Sequence, residues 1–118
     1  MVRFKLKMNQ NELKAVAAAC SATPRLIKKP KNAAALSVVE TCERLWSRLR
    51  NIYRPDRDKY SIRLGATEVH ILTEVMIPVM KDQEEPLVRS IGYAMDEALR
   101  KQIEREVNIY NAMRYGDA

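Results

Sequence analysis

Two stretches of this chain spell one pattern 56 residues apart, and that repetition limits the fold more than any other feature. Phe4-Lys5-Leu6-Lys7-Met8, then Asn11-Glu12-Leu13, returns as Tyr60-Ser61-Ile62-Arg63-Leu64, then Thr67-Glu68-Val69. Apolar and polar residues alternate in each copy, the period of a half-buried strand. The spacing then turns helical just after a polar residue–Glu pair. A duplicated strand–helix–helix unit is expected, with repeats over residues 1–57 and 58–118. Neither half is long enough to bury a stable core alone, so both are expected to share one core in a single domain.

Val2, Phe4, Leu6 and Met8 face one way and Arg3, Lys5 and Lys7 the other. A first helix is expected from near Asn9, capped by Asn9 or Asn11, with Leu13, Val16, Ala17 and Cys20 on its stripe. Ser21 to Lys31, bracketed by Pro24 and Pro30, reads as a loop that crowds Arg25, Lys28, Lys29 and Lys31 together. Asn32 caps a second helix reaching about Arg54, with Arg44, Arg48, Arg50 and Arg54 on a solvated face. A turn over Pro55–Asp58 leads to a second strand from about Lys59 to Leu64. The third helix carries Val69, Leu72 and Met76, and Pro78 is expected to kink or stop it. Asp82 or Gln83 caps the fourth, whose stripe runs Leu87, Ile91, Met95, Leu99, Ile103, Val107, Tyr110, with Gly116 just past its end. A fainter echo, Asn51-Ile52-Tyr53 against Asn108-Ile109-Tyr110, is one residue off the strand spacing and implies a small insertion between the copies.

Two strands do not make a stable sheet alone. The simplest assembly pairs them antiparallel about a pseudo-two-fold axis and rests their apolar faces on four helices. The fold class is therefore α+β and mostly helical. The outer face of the ribbon would show Arg3, Lys5, Lys7, Lys59, Ser61 and Arg63. With Lys5 opposite Ser61, Arg3 would meet Arg63 and Lys7 would meet Lys59. Opposed like charges destabilise a ribbon, and a docked polyanion would relieve them.

Charge divides along the same line. Residues 1–57 hold 13 Lys/Arg against 4 Asp/Glu, residues 58–118 hold 8 against 11, and the whole chain carries +6. A basic first half points to an anionic partner, nucleic acid being the commonest. Only 3 Gly and 5 Pro argue against a loop-rich all-β fold. Met1-Val2-Arg3-Phe4 lacks the apolar run of a signal peptide, and no segment reaches the roughly 20 apolar residues of a membrane span. A cytoplasmic location without membrane contact is expected. Cys20 and Cys42 read as small core residues of a reducing compartment. His70 is the only histidine, and there is no CxxC, no HExxH and no phosphate-cradling glycine loop. No catalytic residue, metal ligand or cofactor is assigned.

Residues 2–12 and 60–68 together resemble the ribbon-helix-helix family of DNA-binding proteins, here with both protomers in one chain. The resemblance implies a two-stranded ribbon in the major groove, with Arg3, Lys5, Lys7, Lys59, Ser61 and Arg63 facing base edges. It also implies a phosphate at the start of the second helix, at Asn32 and Ala33, helped by Lys28, Lys29 and Lys31. The chain departs from the family in an eleven-residue loop between helices and in the acidic start Asp82-Gln83-Glu84-Glu85-Pro86 in the second half. The expected function is a small regulator or architectural protein binding duplex DNA. The competing reading is a protein-interaction module without nucleic acid, a small accessory or inhibitor protein. It would dock on a larger protein or self-associate as a homodimer, through its oppositely charged halves or through exposed ribbon edges.

Overall fold

The computed structural model describes residues 3–116. Its elements run β1 (Phe4–Met8), α1 (Gln10–Ile27), α2 (Ala33–Ile52), β2 (Tyr60–Leu64), α3 (residues 66–81) and α4 (Pro86–Tyr115). Among the described residues the fold is α+β and mostly helical, a two-stranded antiparallel ribbon with four helices. The two strands pair within the chain. Phe4, Leu6 and Met8 of β1 and Tyr60, Ile62 and Leu64 of β2 are buried, while the residues between them are exposed. All six join one hydrophobic core to which every helix contributes. Val2, expected on the inner face, lies outside the described residues.

The register differs from expectation by two residues. Leu6 faces Ile62, Lys5 faces Arg63 and Lys7 faces Ser61. Packing explains the choice. This register sets Phe4 on Leu64 and Met8 on Tyr60, whereas the expected one would have set Met8 against Asp58. Since one face of the ribbon is buried, matching its apolar residues selects the pairing. One like-charge pair, Lys5 with Arg63, remains where two were expected.

Asn9, rather than Asn11, caps α1: its Oδ1 accepts from the Glu12 amide at 2.8 Å, and its own amide donates to Glu12 Oε1 at 2.8 Å. The helix does not end at Cys20. It continues through the expected loop to Ile27 with Pro24 inside it. Thr23 is buried and Ile27 half-buried there, so the inward stripe extends another turn and outweighs the amide that Pro24 lacks. The eleven-residue loop shrinks to residues 28–32, entered through Lys28 at the left-handed φ of 61°.

Pro78 does not stop α3 either. Its first part, Ala66–Ile71, opens with the Gly65 amide donating to Glu68 Oε1 at 3.0 Å. A π-helical turn follows over Leu72–Met76, closed by the Ile77 amide on the Leu72 carbonyl. The α-helix then resumes as Ile77–Lys81, with Pro78 in its opening turn, where an amide is dispensable. A π-turn holds one residue more than an α-turn, and the burial pattern records that residue. Leu13, Ala15 and Val16 of α1 correspond to buried Val69, Ile71 and Leu72, 56 residues on. After the π-turn, Ala19, Cys20 and Thr23 correspond to Met76, Ile77 and Met80, 57 residues on. The two helices therefore keep the same spacing of buried residues up to the π-turn and differ by one residue from its end onward.

In the second helices, buried Thr41, Cys42, Leu45 and Leu49 of α2 match Ile91, Gly92, Met95 and Leu99 of α4 at a spacing of 50. Ile52-Tyr53 and Ile109-Tyr110 differ in burial: the first pair is half-buried and the second exposed. Glu85, not Asp82 or Gln83, caps α4, and Gly116 closes it in the left-handed conformation at φ 72°. The expected stripe holds only from Ile91 to Ile103, and its first member, Leu87, is 51% exposed. Val107 and Tyr110 are 50% and 52% exposed, because the 30-residue helix outruns the body it packs on.

Asp96 ties α4 to the end of α3. Its carboxylate accepts from Lys81 Nζ at 2.8 Å and from Arg100 Nε at 2.9 Å. Burial opposes its ionisation, but the Lys81 hydrogen bond and the Arg100 and Lys81 charges outweigh this and hold its carboxyl below the usual range. A depressed carboxyl stabilises the fold above the ordinary pKa of about 3.9 and loses that contribution as pH falls through the lower folded value. Asp96→Asn is expected to cost about 1–2 kcal/mol at neutral pH, with the gap from wild type closing below about pH 4. Urea unfolding at several pH values checks this.

Candidate nucleic-acid interface

Alternation along β1 and β2 sends Lys5, Lys7, Ser61 and Arg63 to the face away from the core, and all four are exposed. Arg3 and Lys59, each one residue before a strand, are exposed as well. The structure brings these six residues together on one ribbon. The Lys5 amide donates to Gln102 Oε1 at 3.0 Å, and the Lys5 carbonyl accepts from Gln102 Nε2 at 2.8 Å. Lys5 therefore turns its backbone outward, which makes Lys5–Arg63 a non-hydrogen-bonded pair, the kind whose side chains stand closest. Among the described residues neither cation has a carboxylate partner.

Both margins of the ribbon are occupied at mid-length. Gln102 of α4 holds β1 like a short piece of neighbouring strand. On β2, Arg48 of α2 donates through Nη2 to the Arg63 carbonyl at 2.6 Å, and its Nη1 lies 3.2 Å from Glu68 Oε2. Each half's second helix thus covers the other half's strand. Each edge expected to let two ribbons join into a four-stranded sheet is thus engaged at one residue, Lys5 on β1 and Arg63 on β2. Arg48, expected on a solvated face, is an edge residue 36% exposed. Sequence reading missed Gln102 altogether. Its one signal is a polar residue following Leu99 on an apolar stripe, too common to single out. Arg105 was missed too, and with Gln102, Lys5, Lys7 and Glu12 it lines a groove of about 390 Å³ between β1 and α4.

The other expected cations form a second, separate cluster. Lys28, Lys29 and Lys31 are exposed in the α1–α2 turn. Arg25, placed in that loop by the sequence, sits in the last turn of α1. Asn32 caps α2, its Oδ1 accepting from the Ala35 amide at 2.8 Å. No acidic residue occupies the first turn of α2, so the positive end of its dipole is uncompensated. The start of α4 is the opposite, held by the carboxylate of its own Glu85. The turn lies at the far end of the 18-residue α1, a helix about 27 Å long whose first turn follows β1 directly.

Cys20 and Cys42 are free and buried, as expected of core residues. Burial, and then the neighbouring Cys42, pushes the Cys20 thiol up to about 12; burial, and then the Glu43 charge, pushes Cys42 up to about 11. His70 is exposed on α3, so it forms no pair with either thiol. Both thiols are expected to resist a disulfide reagent at neutral pH in the folded protein and to react fully in denaturant; a colorimetric thiol titration reads this directly. Among the described residues no group of three His, Cys, Asp or Glu is assembled to hold a metal, and no helix is long and apolar enough to cross a membrane. Compared with known proteins, the chain matches no family model, no curated sequence and no solved structure.

Proposed function

We propose that this chain is a small DNA-binding protein, a regulator or architectural factor, in which a duplicated strand–helix–helix unit presents one basic ribbon to the major groove. Three features support the duplication. The ladder centres on Leu6 and Ile62, which are equivalent under the 56-residue spacing. Buried positions of α1 recur in α3, and those of α2 in α4. Each second helix covers the opposite strand. An arrangement of this kind is what the ribbon-helix-helix resemblance implies.

The observation that carries the function is the close, uncompensated pair Lys5 and Arg63 on an exposed face that also holds Lys7, Ser61, Arg3 and Lys59. Strands about 4.8 Å apart fit a groove about 12 Å wide. Lys5, Lys7 and Arg63 then donate to guanine O6 and N7, and Ser61 donates or accepts. The turn at Lys28–Asn32, about 27 Å along α1, meets phosphates flanking the groove, with the α2 amides and three lysines as donors.

Fluorescence anisotropy of a labelled random duplex across a salt series tests the reading. Neutralising about five phosphates gives a slope of log K on log salt near −4 to −5. No detectable binding at about 50 mM salt, or a slope near zero, would sink it and leave the cationic face to a protein partner.

A further inference from the structure

Every residue from Val107 to Gly116 is exposed, although the helix keeps its form to a left-handed glycine cap. Five of the large apolar side chains left in solvent lie here: Val107, Ile109, Tyr110, Met113 and Tyr115, with Met113 84% exposed. Helical spacing sorts them. At 100° per residue Ile103, Val107, Ile109, Tyr110 and Met113 share one side, while Glu104, Arg105, Asn108, Asn111, Ala112 and Tyr115 take the other. Only two charges fall within the apolar stripe, Glu106 and Arg114. An isolated helix end of this length is marginal in water, so an apolar stripe that packs on the core only at Ile103, and beyond it has no partner among the described residues, is a surface built for a contact.

We infer that the projecting end of α4 is a self-association surface on which a second copy of the chain lies antiparallel, centred on Tyr110. The stripe's own charges argue for a second copy over an unrelated protein. Antiparallel pairing about Tyr110 sets Val107 against Met113, Tyr110 against its counterpart, and Glu106 against Arg114 on both sides. Both charges inside the stripe are thereby matched by the same operation that matches its apolar residues. Among the described residues Glu106 has no closer cation than Arg105, at 3.8 Å along the same helix. An overlap of about 13 residues spans only about 20 Å, a contact too short to bury the roughly 800 Å² per partner of a standard interface. The dimer is accordingly dissociable. The inference does not depend on DNA binding.

Sedimentation equilibrium of the full chain without DNA, from about 1 μM to 1 mM, tests it. Wild type is expected to pass from monomer to dimer within that range. Glu106→Arg alone and Arg114→Glu alone each loosen the dimer at least about tenfold, and E106R with R114E together restore it. Tyr110→Cys is expected to form a disulfide-linked dimer under mild oxidation, against a wild type whose two thiols are buried. All these side chains are exposed or near the surface, and a thermal melt verifies that each variant stays folded. A monomer throughout would overturn the inference. So would a dimer indifferent to the single charge changes, a double variant as weak as the singles, or a Tyr110→Cys chain that fails to cross-link.

Discussion

Replacing Lys5, Lys7 and Arg63 together by alanine is expected to weaken duplex binding at least about a hundredfold while leaving the melting temperature unchanged or slightly higher. Each donor lost from a base edge costs about 1–3 kcal/mol, and three losses at the low end already exceed two decades. Stability moves the other way because Lys5 and Arg63 stand opposed on the exposed face, a repulsion worth about 0.5 kcal/mol that alanine removes. The combination is diagnostic. A variant that binds poorly because it is unfolded melts early; this one does not. Anisotropy titration beside a thermal melt reads both, and an affinity within about threefold of wild type would remove the ribbon from the proposed interface.

Leu99→Ala is expected to cost about 3–4 kcal/mol, lowering the melting temperature by about 12–16 °C. Leu99 is 0% exposed in the core of α4, so truncation loses both transfer free energy and the packing around the cavity left behind. Leu49, its match in α2 and equally buried, is expected to show the same loss to within about 1 kcal/mol. Paired denaturant unfolding curves measure the two. A large inequality would mean that equal burial in the two second helices conceals unequal packing, and would weaken the case for duplication.

What the sequence made legible follows from how locally each feature is determined. The strands could be read because alternation over five residues admits one assignment. Asn32 as a cap and Gly116 as a terminator could be read because each acts on its own neighbours. Prolines misled, since both break helices by default: Pro24 persists where packing of distant residues outweighs the lost hydrogen bond, and Pro78 falls in the opening turn after the π-turn, where its missing amide costs nothing. The register was missed for the same reason: choosing Leu6 opposite Ile62 depends on what Met8 would face, a question about two segments at once. Four of the six ribbon positions, Lys5, Lys7, Ser61 and Arg63, do lie on the outer face of the strands, while Arg3 and Lys59 are exposed just before them. Their separation from the Lys28–Asn32 turn was not foreseen, because a loop assumed from Ser21 hid two further turns of α1. Arg48 and Gln102 were out of reach, because each acts on a strand from the other half.

β1 and β2 belong to one polypeptide. Bringing them together is a loop closure within the molecule, with a cost set by chain length and independent of how many molecules are present. Dilution, which dissolves any assembly of separate chains, leaves this pairing untouched. A single molecule therefore carries the complete ribbon, and its two sides are free to diverge. One side already presents two lysines where the other presents a serine and an arginine.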